Sequence, residues 1–112
     1  MSERRSNRGS TPQLTIIFWR DIPAQVKARH GRERASAALP DRFMISVDAA
    51  ATRAGRTSTD DYIAEWREET RSCDADLHSE VRAEARRITE SYPSELIRGY
   101  VRNNGWAPSE SP

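Results

Sequence analysis

At 112 residues the chain has the size of one domain, and with 36% hydrophobic and 31% charged residues it has material for one small core. No run approaches the ~18 apolar residues of a membrane span, no apolar segment follows Arg4, Arg5 and Arg8 as a secretory signal requires, and a single cysteine, Cys73, excludes an intrachain disulfide. These features point to a cytoplasmic protein, and a net charge of +1 argues against a uniformly basic nucleic-acid binder.

The charge is unevenly spread. Residues 14–56 carry eight basic and four acidic groups, whereas residues 57–112 carry seven basic and twelve acidic ones. Two opposite halves can attract each other within one fold, or the basic half can present a face to an anionic partner. Lys27 is the one lysine among 18 basic residues. Residues 1–13 and 107–112, rich in Ser, Arg, Pro and Glu, read as disordered tails around a domain at 14–106.

Leu14–Trp19 is a short run of β-branched and aromatic residues and reads as a strand. Side chains alternate along a strand, so Leu14, Ile16 and Phe18 share one face while Ile17 and Trp19 share the other. Both faces are apolar, which predicts a central strand covered on both sides. Arg20 and Asp21 follow, and Ile22-Pro23-Ala24-Gln25 reads as a turn with proline at its second position. Gln25–His30 then alternates, with Val26 and Ala28 inward and Gln25, Lys27 and Arg29 on a wet face. Gly31 marks a turn, and Arg34–Leu39 alternates again with Arg34 and Ser36 outward. The expectation is an antiparallel meander of three strands.

Pro40 opens the helical half. Phe43, Val47, Ala50 and Ala54 lie at helical spacing, and Gly55 suits the C-terminal cap. Ser58 and Asp61 form a capping-box-like pair for a second helix, with Tyr62, Ile63 and Trp66 on its apolar side and Arg67 and Arg71 toward its end. A third helix starting near Asp74 carries the stripe Leu77, Val81, Ala85, Ile88 and Tyr92. Pro93 ends it and suits the first position of a last helix containing Leu96, Ile97, Tyr100 and Val101. Strands first and helices after predict an α+β domain, with three to four helices packed on a small sheet.

Catalytic and cofactor signatures are missing. Cys73, His78 and the distant His30 lack the paired short spacing of a zinc site. There is no nucleophile elbow and no glycine-rich phosphate loop. The adjacent carboxylates Asp60-Asp61 and Glu68-Glu69 diverge by about 100° if helical and read as caps and solvated faces. No catalytic residue, metal or cofactor is assigned, which leaves a binding role. Lys27, Arg29 and Arg34, with Trp19 and Arg20 near them, suit the wet sheet face of a module for single-stranded nucleic acid. Trp19, Arg20 and Asp21, with Trp66, suit the rim of a groove for a protein partner or a second copy of the chain. A small-molecule binder or minor enzyme is a further alternative.

"LTIIFWRDIPAQVKAR", "LPDRF", "DAAATRAG" and "TDDYIAEWRE" follow one another in an order that resembles the small bacterial virulence factor domain family, which is related to the C-terminal part of conserved virulence factor C. The resemblance covers Leu14 to Glu69, and Thr70–Pro112 reads as an extension. Trp19, Arg20, Asp21, Pro23, Arg42, Phe43, Asp48, Tyr62 and Trp66 fall in its blocks. It implies no reaction and no catalytic residue. The sequence therefore points to a non-catalytic interaction or regulatory module.

Overall fold

A computed structural model describes residues 11–108 of the chain. The rest of the expected tails, residues 1–10 and 109–112, lie outside the described residues. Of the tail residues that are described, Gln13 opens the first strand, and Ala107 donates its amide to Asp21.

Three strands, β1 (Gln13–Trp19), β2 (Ile22–His30) and β3 (Glu33–Ala38), form the expected meander. Helices α1 (Asp41–Arg53) and α2 (Thr59–Ala64) follow. The chain then returns as a fourth strand, β4 (Trp66–Ser72), before α3 (Leu77–Ser91) and α4 (Ser94–Arg102). The sheet order is β3-β2-β1-β4, antiparallel throughout. The fold is α+β as expected, with four strands rather than three.

The extra strand corrects the reading of Trp66–Arg71 as helix. Ser58 caps α2 by accepting the amide of Asp61 at 3.2 Å, as its spacing predicts. The helix stops after six residues, and Trp66–Ser72 pairs with β1 instead. Central β1 needs a partner on that side, and β4 supplies one with its Trp and Thr. Its inward face is charged: Arg67, Glu69 and Arg71 alternate with Trp66, Glu68 and Thr70. Inward charges and a polar outer face are how natural sheets keep an edge strand from aggregating.

The turn also moves. Arg20-Asp21 is the connection, and Arg20 takes φ +55°. Pro23 lies inside β2, opposite Phe18, where the register shifts. A bulge tolerates proline because the ladder is already broken there. β3 ends at Ala38, one residue earlier than the alternation suggested.

One face of the sheet packs on α3. Leu14, Val26, Ala28 and Ala35 meet Leu77, Val81 and Ile88 there, and Phe43 of α1 and Ile97 of α4 complete the cluster. A second cluster lies at the other end, where Trp19 and Ile22 meet Val47, Ala50 and Ala51 of α1. Among the described residues, the opposite face of the sheet is not covered as expected. Ile17 is half-buried, and Thr15 shares a hydrogen bond with Thr70 of β4, hydroxyl to hydroxyl at 2.9 Å in an exposed position. The apolar character of Ile17 and Trp19 serves the end of the sheet under α1; toward Gln13 that face is polar and open.

Candidate functional site on the open sheet face

The register builds the open face in rows. Arg34, Arg29 and Gln13 stand side by side across β3, β2 and β1. Ser36, Lys27, Thr15 and Thr70 form the next row, and Ala38, Gln25, Ile17 and Glu68 the third. A groove of about 600 Å³ runs over the first two rows, with His78 of α3 at its border. A second cleft, of about 520 Å³, continues from Gln25 over the third row and is lined by Ile17, Leu39, Met44 and Trp66. One end of the face is therefore cationic, and the other is mainly apolar with Asp41 in its lining.

The charges in the groove are unequal. Lys27 Nζ lies 3.8 Å from Glu68 Oε2, an exposed pair worth little in stability. Arg29 and Arg34 oppose each other directly across β2 and β3, both exposed. Neither makes an ion pair among the described residues. Like charges in direct cross-strand register destabilise a sheet.

The remaining candidate residues lie at the other end. Trp19 is fully buried, donates its indole N–H to the Tyr62 carbonyl at 3.0 Å and stacks on the Tyr62 ring. Trp66 meets the far edge of that ring and borders the apolar cleft. Arg20 is buried at 7% exposure. Its guanidinium pairs with Glu65 at 3.3 Å, donates to the Asn104 carbonyl at 2.8 Å, and lies between the Trp19 and Trp106 rings. Asp21 accepts from Arg67 at 3.2 Å and from the Ala107 amide at 2.8 Å. The seven candidate residues thus fall into two groups. Lys27, Arg29 and Arg34 share the groove, whereas Trp19, Arg20 and Asp21 tie the turn to the C-terminal segment, and Trp66 alone reaches the open face from that end.

The open face is braced from behind. Arg71 of β4 reaches Glu84 of α3 at 3.0 Å, and Arg87 pairs with the same carboxylate. Burial would raise the Glu84 carboxyl, but hydrogen bonds from Arg87 and Arg71 outweigh it and hold the group below the ordinary glutamate range. Thr15, Ile17, Met44, Glu68 and Thr70 were not among the candidates. "WREETRS" has no apolar alternation to signal Glu68 and Thr70, and the apolar spacing of Tyr62, Ile63 and Trp66 favours a helix there.

No group of three or more His, Cys, Asp or Glu among the described residues is placed to hold a metal ion. No described helix is long and apolar enough to cross a membrane. The protein is thus a small α+β domain whose four-stranded sheet is packed by helices on one face and leaves a polar groove on the other. The chain belongs to the virulence factor family, whose model matches residues 17–101. That match runs well past Glu69 and takes in β4, α3 and most of α4, so these elements are part of the family domain and not an extension. No curated protein and no solved structure matches the chain.

Proposed function

We propose that the protein is a non-catalytic binding module that engages its partner through the open sheet face. The observation that carries this reading is the opposed pair Arg29 and Arg34. A sheet built for stability alone would place an acid at one of these positions. Sequences break such local rules chiefly at functional sites, and two unpaired guanidiniums at the mouth of a groove are suited to hold carboxylate or phosphate groups.

Site-specific photo-crosslinking in the cells that make the protein tests this. A photoreactive residue at Ser36, in the groove, should give a discrete crosslinked product. One at Arg86, exposed on α3 and facing away from the groove, should not. Loss of the Ser36 product on adding Arg34→Glu would tie it to the cationic pair. Equal crosslinking from both positions would refute the reading.

A further inference from the structure

The two cavities of the open face meet at Gln25, and together they specify more than an anion site. Arg29 and Arg34 stand in the row of Gln13, and the apolar cleft opens at the row of Ile17. Four residues of extended chain separate these rows, about 13 Å along β1. We propose that the groove takes an extended peptide whose carboxylates meet Arg29 and Arg34 and whose apolar side chain, about four residues further on, fills the cleft beside Met44 and Trp66. This rests on the open face being the binding surface.

Charge and apolarity both select this occupant. Lys27 is already matched by Glu68, so the free positive charge is confined to the Arg29–Arg34 end. A single-stranded nucleic acid carries a phosphate at every step and binds by stacking bases on exposed rings. Among the described residues the groove offers the imidazole of His78 but no Trp, Tyr or Phe for stacking, and Glu68 stands where the next phosphates would pass. An acidic end followed by an apolar anchor matches the cationic row, the polar Thr15–Thr70 row and the cleft in order. Met44 is 40% exposed, and a flexible thioether can adapt to different aliphatic or aromatic anchors.

The test is an amide NMR titration of the full chain with three probes. One is a heptapeptide pool with Asp or Glu at the first two positions, Ser, Thr or Val in the middle and Leu, Met or Phe at the last two. The second pool has Lys in place of the acids, and the third probe is a twelve-residue oligothymidine. The acidic pool should shift the amides of Lys27–Arg29 and Arg34–Ser36 and the indole of Trp66, and the Lys pool should not. Arg29→Glu with Arg34→Glu should weaken binding at least tenfold, Arg29→Gln with Arg34→Gln less so, and Met44→Asp severalfold. Both arginines and Met44 are exposed, so the spectra of the variants report directly that the fold is kept. Silence from the acidic pool, equal binding of the Lys pool, or undiminished binding by the arginine variants would overturn the proposal. Oligothymidine shifting the same amides while the acidic pool does not would overturn the peptide and leave the open face standing. Shifts confined to other surfaces, with no Ser36 crosslink, would overturn both.

Discussion

Replacing Asp21 by alanine tests how the turn after β1 is held. The carboxylate accepts the Ala107 amide at 2.8 Å and the Arg67 guanidinium at 3.2 Å, and it is about one-third exposed. A hydrogen bond to a charged group contributes about 1.5–3 kcal/mol when well shielded. Here water can reach both donors once the acceptor is gone, and the Arg67 pair is an exposed one of small value. The loss for Asp21→Ala is therefore about 1.5 kcal/mol, most of it from Ala107. In a domain of this size that lowers Tm by about 6–12 °C. Asp21→Asn keeps an acceptor for Ala107 and loses the charge toward Arg67, so it should recover more than half of the loss. Urea unfolding gives the free energies, and amide hydrogen exchange at Ala107 gives the mechanism: protected in the parent, fast in Asp21→Ala, intermediate in Asp21→Asn. A change below about 0.5 kcal/mol with Ala107 still protected would show that the C-terminal segment is held without Asp21, and the reasoning would fail.

Three further outcomes follow from the same geometry. Gly105→Ala should cost about 3 kcal/mol by urea unfolding, because Gly105 takes φ +94° and an added Cβ would come 2.8 Å from the buried Trp19 ring. Arg34→Glu should raise stability by about 0.5 kcal/mol and Tm by about 3 °C, since it turns an opposed like-charge pair into an opposite one, while it removes the Ser36 crosslink. Glu84→Gln should flatten the acid side of the stability curve. The folded-state pKa of Glu84 is lowered, so the unfolded chain binds more protons, and the contribution is complete above pH 4.5 and lost as pH falls through the folded value. Thermal melts between pH 6 and pH 3 read this, and parallel curves for the two proteins would refute it.

What the chain shows on its face depends on how local the cause is. The strand Leu14–Trp19, the Ser58 cap, the positive-φ Gly55 and the stripe Leu77, Val81, Ala85 and Ile88 are each set by residues within a few positions, and each is found. β4 was not legible because a charged edge strand has no apolar alternation, and its identity comes from the hydrogen bonds it gives β1. The turn was legible but placed too late, at residues 22–25, and Asn104 and Ala107, to which Arg20 and Asp21 bond, lie 84 and 86 residues away in sequence. The groove divides the same way. Lys27, Arg29 and Arg34 were placed on one face by alternation alone, whereas the apolar cleft needs Met44 from α1 and Trp66 from β4.

The two groups of candidate residues differ in what they do to the fold, and that difference separates scaffold from site. Arg20 is buried and touches two rings, a carboxylate and a backbone carbonyl. Taking away such a group leaves its partners unmatched inside the protein, so its loss is read in stability. Arg29 and Arg34 are exposed, opposed and without an ion pair among the described residues, so their loss should leave stability the same or higher. On the proposed function, a residue whose removal helps the fold serves the partner. Its nearest surroundings are a groove, a row of hydroxyls and an apolar cleft, and these are the parts from which a recognition surface is made.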